Sequence, residues 1–319
     1  MGENMTLRDR VIYILESRKG EYISGQDIAD TCKVSRSAIA KCVAALKAEG
    51  YPISSVNNLG HSLDKESDIL SESGIRAVLG DENIEIKVYK TIDSTSSEAK
   101  RAIGNLSGNA IFAAEEQTAG RGRHGKSFYS PKQSGLYFSC VLHPEVKLSD
   151  APAITSACAV AVCEAIELAT KKHPQIKWVN DIFIDDRKVC GILTEAVSDF
   201  ETQTVQAVIV GIGINLTTED FPQELAEIAT SLGTKTDRCK LIADVYSRLN
   251  ALCDALPDKS FMREYRARSL VLGRDIRFTR NSIDYTAKAV AIHDDGGLEV
   301  LTESGETIVL NSGEISIRL

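Results

Sequence analysis

A glycine- and arginine-rich stretch, Gly120–Lys126, constrains the fold of this chain more than any other segment. Its three glycines allow backbone N–H groups to approach a ligand, and its two arginines present planar donor forks that suit phosphate or carboxylate. The spacing satisfies both the P-loop and the dinucleotide fingerprint, each of which needs a strand before the loop and a helix after it. The strand is present at 110–114, but Pro131 and Gly135 interrupt the segment that should be helical. Neither motif is therefore favoured, and the same residues also fit a loop that touches nucleic acid or a plain solvated turn.

The composition is that of an ordinary folded protein: 319 residues, 43% hydrophobic and 26% charged, enough for two or three domains. The net charge of −8 argues against a general nucleic-acid coat but allows a local basic patch. We find no uninterrupted membrane-length apolar run and no apolar signal region, so we expect no membrane partner. None of the 8 cysteines has Cys-x-x-Cys or zinc-ligand spacing, which favours a reducing, cytoplasmic setting and no structural metal.

The N-terminal region predicts three helices followed by a hairpin. Helical periodicity covers residues 6–18, 24–30 and 35–47, with a break at 31–34, and a serine occupies the N-cap position of the second and third helices. Two short strands within 50–63 flank an Asn-Asn-Leu-Gly turn. This order resembles a winged-helix DNA-binding domain, although a three-helix protein-interaction module would show the same helices.

Basic residues concentrate on the third of these helices and just before it, with no acidic residue among them. Such a cluster on the helix that would enter the major groove favours DNA binding over a protein-interaction module. The residues that we expect at the DNA are Lys33, Ser35, Arg36, Ser37, Lys41 and Lys47.

The second domain begins after a polar link at residues 64–81, which contains a short helical pattern near 69–79. A strand at 84–89 leads to Asp93–Lys100, which opens a helix. The hydroxyl and free N–H groups at that helix start suit a polar ligand head, although simple capping explains them equally well.

Three polar side chains interrupt an apolar β-type run at 176–184: Lys177, Asn180 and Asp181. Their burial is costly unless they have partners, so a ligand or an ion is expected there. A turn at Asp185-Asp186 leads to a return strand at 187–195. Lys188 enters that strand, and Gly191 leaves space beneath a ligand.

The remaining pattern alternates further strands and helices. Strands are predicted at 135–142 and 205–214, and helices at 151–171, 238–255 and 261–269. From Leu272 the chain changes to short strands with tight turns, including Asp294–Gly297, which predicts a small β-barrel.

Taken in order, these motifs resemble the biotin protein ligases over nearly the whole chain. The winged helix makes the chain similar to the members that combine the ligase with a biotin operon repressor. The motifs that carry the resemblance are Asp93-Ser94-Thr95, Gln117–Gly125, Lys177-Trp178-Val179-Asn180-Asp181, Lys188–Glu195, Gly211-Ile212-Gly213-Ile214-Asn215 and Gly313-Glu314-Ile315-Ser316.

The resemblance implies an α+β protein of three domains. These are a winged helix-turn-helix at 1–65, a mixed-sheet catalytic domain of the class II synthetase type at 66–270, and an SH3-like β-barrel at 271–319. It also implies a reaction in which biotin and ATP, with Mg²⁺, give biotinyl-5′-AMP and then biotinylate one lysine of a carboxyl carrier protein. The implied second activity is biotin-responsive repression at operator DNA by a homodimer that forms when the adenylate is bound.

Residue roles follow from the motifs that match. The biotin and adenylate contacts would be Ser94, Thr95, Ser96, Gln117, Gly120, Arg121, Gly122, Arg123, Lys188 and Gly191. The ATP contacts would be Arg121, Lys177, Asn180 and Asn215, and the catalytic groups Arg123, Lys188, Lys177 and Asp181. Asp181 would either hold Mg²⁺ or accept the proton of the carrier lysine.

Two positions depart from the usual family pattern: Ser96 stands where an asparagine is common, and Val179 where a proline is common. The first puts the contact with the ureido ring in doubt, whereas the second leaves the polar residues in place. Two other functions fit the same motifs, namely a biotin-sensing repressor without catalysis and a lipoate or octanoate ligase.

Overall fold

The structure is a computed structural model that describes residues 5–81, 84–144, 151–198, 205–280, 283–311, 313 and 315–317. Its helices are α1 (Leu7–Ser17), α2 (Gly25–Cys32), α3 (Arg36–Ala48), α4 (Glu72–Leu79), α5 (Thr95–Ala102), α6 (Ala151–Thr170), α7 (Arg238–Asp254) and α8 (Met262–Ala267). Its strands are β1 (Ile53–Val56), β2 (Gly60–Leu63), β3 (Glu85–Tyr89), β4 (Ala110–Ala114), β5 (Gly135–Leu142), β6 (Gln175–Lys177), β7 (Asp181–Ile184), β8 (Arg187–Ser198), β9 (Val205–Asn215), β10 (Asp275–Arg280), β11 (Ile283–Ile292), β12 (Leu298–Thr302), β13 (Thr307–Leu310) and β14 (Ile315–Ile317). The chain forms two compact units, Met1–Val88 with Lys235–Asp244, and Tyr89–Thr234 with Val245–Leu319.

The first unit contains the predicted helix-turn-helix. Ser24 Oγ accepts a hydrogen bond from Asp27 N at 3.0 Å, and Ser35 Oγ accepts one from Ala38 N at 3.2 Å, so both predicted caps are confirmed. The predicted break at 31–34 is wrong in its bounds, because α2 continues to Cys32. Lys33 adopts the left-handed conformation at φ 55° and ends the helix, and Cys32, its last residue, is buried in the core.

Strands β1 and β2 form the predicted hairpin, with Ile53 opposite Leu63 and Val56 opposite Gly60. Ile53 and Leu63 are buried against the core of α1–α3. The segment expected to be a polar link contains α4, which packs against α1 in the same unit.

The second unit is built on six strands of a seven-stranded sheet, in the order β4-β5-β9-β8-β7-β6. The ladders from β4 to β6 are antiparallel, whereas Ile92–Gln117, Ile176–Ser269 and Lys188–Ala229 form parallel bridges. Pairing in this unit is therefore mixed, as predicted. One expected strand is wrong: the run 176–184 is two strands, because Lys177 pairs with Asp181 across a turn at 178–180. That turn contains neither glycine nor proline, so the apolar pattern did not reveal it.

The two faces of this sheet carry different helices. Helix α5 packs on β4, β5 and β9, and α6 packs on β6, β7, β8 and β9. Residues 152–170 of α6 are long and apolar enough to cross a membrane, with a mean hydropathy of 1.5, but 67% of that stretch is buried inside the protein. This burial is what a core helix requires.

The same unit also contains a five-stranded antiparallel sheet in the order β13-β12-β11-β10-β14. The predicted turn 294–297 joins β11 to β12. Ile276, Phe278, Ala289 and Val300 form part of its buried side. The α+β class with an N-terminal winged helix, a mixed central sheet and a C-terminal antiparallel sheet is thereby confirmed, while Glu314 of the last motif lies outside the described residues.

Candidate functional site

A cavity of about 540 Å³ opens on the face of the seven-stranded sheet that also carries α5. A volume of this size accommodates a small organic ligand together with part of a nucleotide. The residues predicted from sequence that line it are Ser94, Thr95, Ser96, Gln117, Arg121, Gly122, Arg123, Lys177, Asn180, Asp181, Lys188, Gly191 and Asn215. Gly120 does not line it: a Cβ at that position would lie 2.4 Å from Phe128 O, so the glycine serves close backbone packing behind the cavity.

One end of the cavity is a network of buried hydroxyl and amide groups. Ser94 caps α5, and Thr95 N donates to Gln117 Oε1 at 2.9 Å. Ser139 Oγ lies 2.9 Å from Thr95 Oγ1 and 3.0 Å from Ser96 Oγ. Because the serine and threonine side chains are 0–4% exposed and arranged at a helix start, they suit a neutral polar ligand head.

Asp93 stands just before this network. Its carboxylate accepts hydrogen bonds from Arg101 at 2.8 and 2.9 Å, and its own carbonyl accepts from Ala119 N at 2.8 Å. The hydrogen bonds from Arg101, followed by one from the N–H of Ser94, lower the pKa of Asp93 to about 2. Asp93 is thus charged at neutral pH and ties the start of α5 to the segment that leads into the arginine loop.

The arginine loop, Gly120–Lys126, is a tight hairpin. Gly122 N donates to Lys126 O at 2.7 Å, and Phe128 N donates to Gly120 O at 2.9 Å. No helix follows it in the described residues before β5, which confirms that it is neither a P-loop nor a dinucleotide turn. The loop holds its two arginines at the cavity by its own backbone bonds.

The two arginines have different partners. Arg121 forms a two-pronged ion pair with Glu195 at 3.1 and 3.1 Å, and Lys100 reaches the same carboxylate at 2.6 Å. Arg123 Nη1 donates to Asn180 Oδ1 at 3.0 Å and to Gly313 O at 3.4 Å. Arg121 is neutralised by a carboxylate, whereas Arg123 is held by neutral oxygens, which leaves the charge of Arg123 available to an anion.

Strands β6, β7 and β8 supply the other charged groups. Lys188 Nζ lies 2.7 Å from Asp181 Oδ1 in an ion pair whose geometry falls short of a hydrogen bond. Lys177 Nζ lies 5.4 Å from the centre of the Phe183 ring. Lys177 and Asp181 are directly opposite each other in the ladder, so the two lysines and the carboxylate share one side of the sheet.

The floor of the cavity is made of glycines. Gly191 pairs with Gly213 in the ladder between β8 and β9. The Phe128 ring packs directly on Gly213, where a Cβ would lie 2.4 Å from the ring. The start of α5 packs on Gly211 in the same way, since a Cβ there would lie 2.3 Å from Ser96 Oγ. Small residues are needed where the ring and the helix start approach the sheet this closely.

Several residues of the site were not predicted from sequence. Ser139 and Ser130 complete the hydroxyl network, Glu195 holds Arg121, and the segment 221–229 lines the cavity. Asn215, expected at ATP, donates to Thr230 O at 3.1 Å and so also fixes the end of that segment. The alternating position of Ser139 in β5 was the one signal that could have placed it beside α5.

The part of the chain that the structure describes contains no group of three or more His, Cys, Asp or Glu side chains able to hold a metal. Asp181 offers a buried carboxylate oxygen without a hydrogen bond, but an ammonium lies beside it. The residues present fit a metal ion that arrives with most of its ligands supplied by phosphate and water.

The six residues predicted to contact DNA are all exposed on or next to α3. Lys47 Nζ donates to Ser55 Oγ at 2.8 Å, and Ser55 Oγ lies 2.8 Å from His61 Nδ1, which joins α3 to the hairpin. Burial and then the charges of Lys47 and Arg36 lower the pKa of His61. An exposed α-helix fits the major groove of DNA, and the basic side chains on this one would attract the phosphates.

Three family models match consecutive parts of the chain. The Biotin/lipoate A/B protein ligase family matches residues 88–215, an HTH domain matches residues 8–62, and the Biotin protein ligase C terminal domain matches residues 271–318. The first covers the cavity strands, and the second covers α1 to β2.

The chain is also similar to several known proteins. The chain is 35% identical to the bifunctional ligase/repressor BirA of Bacillus subtilis strain 168, over 94% of this chain and 95% of that protein. It is 26% identical to BirA of Escherichia coli K12, over 94% of each. Among solved structures, biotin protein ligase from Aquifex aeolicus in complex with biotin and ATP gives a TM-score of 0.63 at 31% identity, covering 73% of this chain and 98% of that one.

Proposed function

This chain belongs to the family of the bifunctional ligase/repressors, and from that premise we propose that it activates biotin with ATP and transfers it to a lysine of a biotin carboxyl carrier protein. The observation that carries the proposal is the division of one cavity into a neutral hydroxyl end and a cationic end. Ser94–Ser96 and Gln117 occupy the first, and Arg123, Lys177 and Lys188 the second.

We assign the ureido head of biotin to the hydroxyl end, where Ser96 offers a donor or acceptor that Ser139 orients at 3.0 Å. The biotin carboxylate then points toward the cations. It attacks the α-phosphorus of ATP, a carboxyl–phosphate anhydride forms, and pyrophosphate leaves with the electrons of the broken P–O bond. Arg123 and Lys188 stabilise the negative charge that two approaching anions accumulate.

In the second half-reaction, the amine of the carrier lysine attacks the biotinyl carbonyl, an amide forms, and AMP leaves. Asp181 is the carboxylate at this end of the cavity, and its two proposed roles are to accept the ammonium proton or to ligate Mg²⁺ that enters with ATP. We assign four residues of the cavity to the nucleotide: Arg121, Lys177, Asn180 and Asn215, the last residue of β9.

We propose repression as the second function. The helix-turn-helix and the exposed basic residues of α3 support operator binding, and two copies in an adenylate-bound homodimer would read two half-sites. In this proposal residues 1–65 bind DNA, 66–270 catalyse and 271–319 complete the ligase. The cytoplasm is the proposed compartment, since all eight cysteines are free thiols.

Pyrophosphate release from ATP and Mg²⁺, with biotin or lipoate as the acid, tests the ligase. Release with biotin alone is the expected result. Release with lipoate instead would assign the chain to the other branch of the family. If neither acid caused pyrophosphate release but the protein still bound biotin, the alternative of a biotin-sensing repressor without catalysis would be favoured.

A further inference from the structure

The turn between β6 and β7, residues 178–180, is held from outside the hairpin on three sides. Trp178 Nε1 donates to Gly296 O at 2.8 Å, in the turn that joins β11 to β12. Tyr265 Oη, on α8, donates to Val179 O at 2.9 Å. Asn180 Nδ2 donates to Ile192 O on β8 at 2.6 Å. The position of this turn is therefore set by elements that follow it in the chain.

The same turn sets the position of Arg123. Because the NH₂ group of Asn180 is bonded to Ile192 O, its Oδ1 is directed at the guanidinium, which donates to it at 3.0 Å. A flipped amide would place NH₂ against the cation and lose both bonds. Any shift of residues 178–180 therefore displaces the acceptor that Arg123 uses.

Tyr265 is well suited to hold the turn. Its side chain is 1% exposed, and burial raises the pKa of its hydroxyl, so the group stays a donor. It is not among the residues that line the cavity, so its effect on a ligand must pass through Val179 and Asn180. If Tyr265 were phenylalanine, the carbonyl of Val179 would lose this donor and would face an apolar ring instead.

We propose that Tyr265 is a positioning residue for the adenylation step, whose hydroxyl fixes the turn 178–180 and, through Asn180, places the guanidinium of Arg123 at the phosphate. The inference rests on the proposed ligase function. It assigns a role in the reaction to α8, which has no atom at the cavity among the described residues.

The experiment is a double-mutant cycle on the full-length chain with Tyr265→Phe, Arg123→Ala and the pair, measured as biotin-dependent pyrophosphate release. Tyr246→Phe is the matched control, since its buried hydroxyl accepts from Asn109 Nδ2 at 3.2 Å away from the cavity. Tyr265→Phe is expected to lower kcat about tenfold, with the KM for biotin unchanged. The control is expected to keep the wild-type kcat, and both Tyr→Phe variants should lose similar amounts of thermal stability.

The double variant Tyr265→Phe/Arg123→Ala decides the proposal. If Tyr265 acts through Arg123, the double variant is no slower than Arg123→Ala alone, because the group being positioned is already gone. Effects that multiply, or a Tyr265→Phe variant as active as the control, would overturn it. An Arg123→Ala variant with wild-type kcat would also overturn the positioning role of Tyr265. The proposed ligase function is judged separately, by whether the wild-type protein releases pyrophosphate when biotin is present.

Discussion

Lys188 and Asp181 face each other at 2.7 Å because β8 contains an irregularity at Val189. In the ladder, Phe183 pairs with Lys188 and Ile182 with Cys190, so Val189 has no partner on β7. Without the extra residue, Lys188 and Gly191 would point to opposite faces, since they are three positions apart. The bulge therefore brings the lysine to the cavity side of the sheet, over Gly191 and next to the carboxylate.

Removing the Lys188 charge should abolish most of the adenylation. We expect Lys188→Gln to lower kcat by about 100- to 1,000-fold, as when one preorganised charge-stabilising donor is lost. The measurement is pyrophosphate release at saturating biotin and ATP. Lys240→Gln is the control, since it breaks a comparable ion pair of 2.9 Å with Asp244 that lies away from the cavity. Equal rates for the two variants would contradict the role of Lys188.

Filling the floor of the cavity should weaken biotin binding. In Gly213→Ala the new Cβ would lie 2.4 Å from the Phe128 ring, which must then move into the space of the ligand. We expect a loss of about 1–3 kcal/mol in the free energy of unfolding and a weaker biotin Kd by calorimetry. Gly104→Ala is the control, because a Cβ there meets nothing within 4 Å. A Gly213→Ala protein that binds biotin like the control would show that the Phe128 ring does not border bound biotin.

Local features of this fold could be predicted from sequence because they depend on neighbouring residues. The serine caps of α2 and α3, the Asn-Asn-Leu-Gly hairpin and the turn at 294–297 each follow from short-range chemistry, and each is present. Most of the site residues that the family resemblance implied also line one cavity.

Features that depend on register or on distant segments could not be predicted. The bulge at Val189 follows from the pairing of β7 with β8, and no residue in β8 marks it. The turn at 178–180 contains neither glycine nor proline, so its hairpin resembled one strand. Ser139 reaches Ser96 only through the strand order β4-β5-β9, and Glu195 meets Arg121 across 74 positions of chain. Such contacts are set by tertiary structure.

The pair of Asp93 and Arg101 should make stability depend on pH in the acid range. The folded pKa of Asp93, about 2, lies below its ordinary value of 3.8, so its contribution is present above the ordinary value and is lost as pH falls toward the folded value. Because the pair is half-exposed, we expect Asp93→Asn to cost less than about 1 kcal/mol near neutral pH. Urea unfolding of wild type and variant should converge on acidification. A difference that persists at the lowest pH would contradict the sign, and Asp220→Asn, at an exposed position, is the control for loss of one carboxylate.

The basic residues of α3 should govern DNA affinity through charge. Arg36 and Lys41 are exposed, and Lys47 extends the positive surface toward the hairpin. Each phosphate contact releases condensed counterions, so Arg36→Ala and Lys41→Ala should each flatten the slope of log K against log salt by about 0.9 on a random-sequence duplex. Fluorescence anisotropy over a salt series measures this slope. Lys65→Ala removes an exposed charge outside α3 and the hairpin and should leave it unchanged. If all three variants behaved alike, α3 would not be the DNA-binding helix, and the N-terminal helices would instead form a protein-interaction module.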